Sequence, residues 1–310
     1  MSAASAAATA RATLAVDSRC TLGEGIVWDD RRQALFWTDI LSQALWAHLP
    51  RSGATRRWRL PDRLGCLALC DDGRLLLALA KGLHLTMPDA TGELILQPLA
   101  GIEPELGSDT RSNDGRCDRA GNFVFGTKSE RADGAPIGGF HQFSARHGLR
   151  RLSLPSAAIP NSICFSPDGG TLYYCDSIHP RIYRCDYDAD EARVSNLRVF
   201  AEIADGGTPD GSTVDAEGFV WNARWDRACV SRHAPDGRLD RDIPIPAGHP
   251  SCCAIGGAAF DTLYVTTARI DLDDDTLAAT PEAGGVHAFP LHGIAGLPEP
   301  RFATTGLPSP

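Results

Sequence analysis

The chain has 310 residues with 43% hydrophobic and 22% charged side chains, and its 39 acids against 30 bases leave a formal net charge of −9. This is a globular composition, long enough for one large domain or two ordinary ones. The acidic balance disfavours nucleic acid and anionic membranes as partners, because both call for a basic stripe, and the longest apolar run, Leu75 to Ala80, is too short to cross a bilayer.

In chain order, Met1 to Ala10 is rich in Ala and Ser and lacks the bulky apolar stretch of a secretory signal, so it reads as a frayed leader. The ten cysteines contain no C-x-x-C pair and often sit in apolar runs such as Ile163-Cys164-Phe165. They read as small buried thiols, and together with the leader they predict a cytoplasmic protein.

The segments that follow share one grammar: a polar residue, a short apolar run, a tight polar turn and a second β-rich run. The clearest copies run from Glu24 to Asp39 and from Asn161 to Asp176. The same phase falls on Glu24, Gly65, Asn113, Asn161, Asp210 and Ser251, at intervals of 41, 48, 48, 49 and 41 residues. Runs such as Leu75–Ala80, Phe123–Thr127, Leu172–Cys175, Phe219–Asn222 and Leu263–Thr266 read as strands, and Asp275–Thr280 as at most one helical turn. Repeats of this length, each built of several strands, predict an all-β fold: a six-bladed β-propeller with a central channel. The expected organisation is one domain over residues 1–310, with its core at about 14–291 and a short tail at each end. Ala12 to Val16 is expected to pair with the last blade around Val286–Leu291 and close the ring.

In a propeller the first strand of each blade lines the channel, so the six marked positions should ring its mouth. Glu24, Asn113, Asn161 and Asp210 bring side-chain oxygens there, and no Lys or Arg stands in the ring. Two carboxylates facing one cavity repel and raise each other's pKa unless a cation lies between them. Asn113 alone reads better as a turn former; Glu24, Asn161 and Asp210 together read as ligands of a divalent metal. An oxygen-rich set suits Ca²⁺, Mg²⁺, Mn²⁺ or Fe²⁺, whereas structural Zn²⁺ normally recruits Cys or His; His249 is held in reserve. No nucleophile elbow, P-loop or dinucleotide fingerprint is present. A channel metal beside a carboxylate suits hydrolysis of an activated acyl group.

The stretches Leu22-GEGIVW, Arg111-SNDGRCDRAGNFVFGT, Pro160-NSICFSPDG, Pro209-DGSTVDAEGFVW and Leu263-YVTTAR resemble, in order, the gluconolactonase/regucalcin (senescence marker protein) family. The resemblance implies a six-bladed propeller holding one divalent cation (Ca, Mn, Mg, Fe or Zn) and hydrolysing a pentono- or hexonolactone to the sugar acid. It implies Glu24, Asn161 and Asp210 as the metal ligands, Asp210 as general base, and Arg111 and Asn113 as contacts to sugar hydroxyls or the lactone. After Gly126-Thr127 the chain departs from the pattern with Lys128-Ser129-Glu130-Arg131. Lys128 lies fifteen residues past Asn113, as Asp39 does past Glu24, and reads equally as a substrate contact or a surface lysine; Glu130 is a weaker substrate contact. The expected partner is a small sugar lactone, with the chain acting as a monomer or weak homodimer. The alternatives are a non-catalytic metal-binding or protein-interaction propeller, and a paraoxonase-like or strictosidine-synthase-like enzyme. Trp37, Trp46, Trp221 and Trp225 are available to stack on a sugar but read first as blade core.

Overall fold

Short alternating runs separated by tight turns produce antiparallel hairpins, and a computed structural model, which describes residues 11–88, 93–204 and 206–307, arranges them as six four-stranded sheets. The first blade is Gly23–Asp29, Ala34–Asp39, Ala44–Leu49 and Ala54–Arg59, and the next four blades repeat this meander. The sixth is completed from the other end of the chain. Thr13–Val16 pairs antiparallel with Val286–Pro290, as expected from the sequence, so the N-terminal strand becomes the outermost strand of the sixth blade and closes the ring. The leader Met1 to Ala10 lies outside the described residues. The one α-helix among the described residues is Asp274–Ala279, and no helix there is long and apolar enough to cross a membrane.

The blades are held by the two-residue period of their strands. In the first blade Ile26, Trp28, Leu35 and Trp37 pack against Cys252, Tyr264 and Val286 of the sixth. The intervening Val27, Phe36, Leu45 and Trp58 pack against Leu67, Leu69, Leu75 and Leu77 of the second. Each sheet therefore buries both faces, and the six first strands touch one another in sequence around the axis.

Turn carboxylates fix the hairpins. Asp118 accepts the backbone N–H of Ala120 and Asn122, and Asp215 those of Glu217 and Phe219. These Asx-type turns end the first strand of the third and fifth blades at the phase expected from the repeat.

The C-terminal stretch is not a loose tail. It crosses the channel end opposite the marked ring, where Ala295 accepts from Ala216, Gly296 donates to Phe260, and Phe302 donates to Leu69. Phe302 is fully buried between the second and third blades and stacks on Phe143. Arg116 of the third inner strand meets Glu299 of this strap at 2.7 Å.

Candidate active site

All six inner strands carry an irregularity at one level. Register slips between Glu24 and Val27, Leu64 and Cys66, Ser112 and Gly115, Asn161 and Cys164, Pro209 and Ser212, and Pro250 and Cys252. A bulge inserts an unpaired residue and re-aims its side chain, so the repeat marks bulges that point groups into the channel. Positive φ at Gly25 and Ser162, 56° and 60°, belongs to two of them. The marked Gly65 is there for room: a Cβ would lie 2.5 Å from the Ser112 carbonyl oxygen of the next inner strand. Ser251 is also spent structurally, donating to the Gly23 carbonyl oxygen.

The remaining four, Glu24, Asn113, Asn161 and Asp210, line one cavity of about 250 Å³ together with Arg111 and Lys128. Glu24 and Asp210 are 8% and 6% exposed, too little for water to support two charges. Burial pushes the Glu24 carboxyl up to about 8, with the Asp114 charge adding to it and the Gly25 N–H opposing. Asp210 is raised well above the ordinary carboxylate range by burial and by the charges of Glu24 and Asp114. Asp210 Oδ1 is buried with no hydrogen-bond partner. Asn161 donates to Ser177 Oγ at 2.8 Å, and its Oδ1 accepts from Asn113 Nδ2 at 2.8 Å, with a lone pair left over. Among the described residues no group of three or more His, Cys, Asp or Glu is placed to hold a metal, so a cation here would take an amide oxygen as its third protein ligand.

Positive charge stands beside the acids. Arg111 is buried and held by its own neighbourhood: Nη1 donates to Ser112 O and Asn113 Oδ1, and Nε to Glu130 Oε1 at 3.1 Å. Lys128, its cross-strand partner, lines the cavity and makes no hydrogen bond or ion pair among the described residues. Burial and the Arg111 charge lower its pKa. Glu130 is not brought to the cavity; it bridges Arg111 and Arg63. His249 also stays out of the ring, packed behind Trp225.

Asp114 escaped the sequence reading. It is buried one residue past Asn113, accepts from Gly115 and Ile163, and is raised to about 6 by burial. Its charge bears on both Glu24 and Asp210. Leu22, Ile40, Ile159 and Ile270, likewise not foreseen, add apolar lining to the cavity, together with Trp225, which the sequence offered as a sugar-stacking residue but read first as blade core.

A polar channel mouth with two buried acids and two cations narrows the chemistry, and comparison with known proteins narrows it further. The family model described as SMP-30/Gluconolactonase/LRE-like region matches residues 22–269. The chain belongs to this family. It is 45% identical over 297 residues to the L-arabinolactonase of Azospirillum brasilense, covering 95% of this chain and 96% of that one. It is 35% identical to the 6-deoxy-6-sulfogluconolactonase of Pseudomonas putida, covering 91% and 95%. Among solved structures, the calcium-binding protein regucalcin from Agrobacterium tumefaciens superposes with a TM-score of 0.87 at 32% identity, covering 94% of this chain and 97% of that one. The family and the six-bladed fold expected from the sequence are both borne out, and the names of the relatives agree with the expected class, a lactone hydrolase.

Proposed function

We propose that the protein is a metal-dependent sugar lactonase that opens a pentono- or hexonolactone to its sugar acid, with Asp210 as general base. The observation that carries this reading is the unpartnered, buried Asp210 Oδ1 in a cavity that also holds Glu24, Arg111 and Lys128. The relatives named as lactonases of arabinono- and sulfoglucono-type substrates support the reaction class.

The oxygen donors fit one divalent cation, which Glu24, Asn161 and Asp210 would hold; two buried acids, one of them with an unpartnered oxygen, suit an ion better than a proton shared by both. When bound, such an ion supplies Lewis-acid polarisation of the lactone carbonyl. Asp210 takes the proton of the water that attacks the carbonyl carbon. The oxyanion that forms is compensated by the charges of Arg111 and Lys128. Collapse breaks the acyl C–O bond, and the ring oxygen leaves as a hydroxyl with the proton Asp210 had taken. Asn113, pinned between Arg111 and Asn161, orients both while offering a contact to a sugar hydroxyl. A cavity of about 250 Å³ is below the ~300–1,000 Å³ usual for larger ligands and suits a single sugar ring.

The same reading treats the propeller and its strap as one domain in a reducing compartment, in keeping with ten buried cysteines, all free. A pH-indicator assay with L-arabinonolactone and D-gluconolactone, run with and without chelator, tests it. Acid release that needs cation supports the proposal. Chelator-insensitive release removes the metal, and no release on any aldonolactone leaves a binding propeller.

A further inference from the structure

Fifteen residues past Glu24, Asn113, Asn161 and Asp210 stand Asp39, Lys128, Asp176 and Trp225, all at or near the end of the second strand of their blades. Two of these four are consumed by their own blade. Asp39 accepts the N–H of Thr21 and Leu22, both at 3.0 Å, and Asp176 those of Ala158 and Ile159, both at 2.9 Å. Each thereby anchors the segment that enters the inner strand. The other two, Lys128 and Trp225, line the cavity instead. Trp225 also differs from the other tryptophans of the central strands: Trp28, Trp37 and Trp221 are buried in blade core, whereas Trp225 is half-buried at the mouth.

Its ring is backed from behind. The His249 imidazole stacks on it with centroids 4.2 Å apart and planes 14° from parallel. His249 is buried, and its Nε2 lies 2.7 Å from Asp226 Oδ1, a residue in the left-handed region at φ 62°. One face of the indole is thus covered and braced while the ring still borders the cavity. A sugar lactone is amphipathic, hydroxyls on its edges and C–H groups on its faces, and a braced aromatic surface complements the C–H side while acids, amide and cations meet the oxygens.

Resting on the sugar-lactonase reading, we infer that Trp225 is the platform on which the sugar ring of the substrate lies, with His249 and Asp226 as positioning residues that set the angle of the indole. The ligand class is a monosaccharide lactone or its acid presenting a C–H face.

The test combines kinetics on L-arabinonolactone with titration of intrinsic fluorescence by sodium arabinonate, the unreactive product, on cation-loaded protein. Trp225→Ala should raise KM about tenfold with kcat within about threefold, and Trp225→Phe should lie between it and the parent. The arabinonate-induced fluorescence change should vanish in both variants, because the reporting indole is gone. His249→Ala should raise KM severalfold and keep a diminished fluorescence change, with cation content unaltered. A parent-like KM and fluorescence change in Trp225→Phe and His249→Ala overturns the platform, even where Trp225→Ala fails to fold. Loss of kcat without change in KM overturns it as well. A parent that binds arabinonate through Trp225 but hydrolyses no aldonolactone keeps the platform and removes the lactonase reading, so the two failures are distinguishable.

Discussion

At the far end of the channel, Arg116 meets Glu299 at 2.7 Å and donates to the Cys253 carbonyl, and nearby Asp29 is shared by Arg32 and Arg301. At the mouth, the same ring of inner strands carries Glu24 and Asp210, and neither they nor Lys128 forms a direct ion pair among the described residues; the charges of Arg111 and Lys128 act on the two acids only from a distance. Both ends bury charge, and burial is costly in either place. The difference lies in where the compensation comes from: the far end neutralises its charges with the strap, while the mouth leaves acids and a cation to be satisfied from outside. A protein that needed the mouth only for stability would have closed it the same way. Its open charge balance is what supports placing the proposed reaction there.

The sharpest way to break this comparison is to remove the unmatched acid. Asp210→Asn should lower kcat about 10³-fold on an aldonolactone and weaken cation binding, with an unchanged far-ultraviolet dichroism spectrum, because no blade core depends on it. Activity near the parent level would strip Asp210 of its role. At the other end, Glu299→Ala leaves Arg116 buried without its ion pair and should cost roughly 3 kcal/mol, a fall in Tm on the order of 5–10 °C, while kcat measured well below Tm stays at the parent value. A Tm loss of that size from Asp210→Asn, with none from Glu299→Ala, would invert the assignment of the two ends.

A third effect separates the ends by pH. Glu24 and Asp210 hold protons more tightly folded than unfolded, Glu24 rising from 4.5 to about 8. Cation-free protein should therefore lose stability as pH climbs through that interval, since the folded state binds more protons than the unfolded one. Added Ca²⁺ or Mn²⁺ should raise Tm most at the alkaline side, because the ion replaces those protons. Thermal shift with and without chelator at pH 6 and 8.5 reads this directly; a cation effect independent of pH would mean that the ion binds elsewhere.

Much of the mouth was legible because its chemistry repeats with the blades. Glu24, Asn113, Asn161 and Asp210 share a phase, and the phase is a physical object, a bulge at one level of each inner strand. What escaped breaks the repeat or disguises itself. Asp114-Gly115 has the look of a turn but lies within the strand Thr110–Cys117, where the bulge turns Asp114 inward. Trp225 looks like blade core until its partner His249, 24 residues on, is seen beneath it. The strap has no alternation to announce it. Its place depends on one aromatic, Phe302, and on ion pairs to residues such as Asp29, 272 positions earlier.

The smallest expected effect tests that strap without touching the site. Asp29 is fully buried, accepts the N–H of Arg31 and Arg32, and pairs with Arg32 and Arg301 at 2.7 Å each. Burial alone would raise its pKa; the hydrogen bonds from Arg301 and Arg32 outweigh it and hold the carboxyl below 3.8. A carboxyl lowered in this way contributes stability that is present above its unfolded value and is lost as pH falls through the folded one. Arg301→Ala should therefore move the acid-unfolding midpoint to higher pH, by less than one unit because Arg32 and the two backbone donors remain. At pH 7 its Tm should drop less than in Glu299→Ala, and KM for the lactone should not move. An acid limb that superimposes on that of the parent would show that Arg301 does not stabilise the ionised Asp29, and the strap would then be held by Phe302, Glu299 and its hydrogen bonds to the blades.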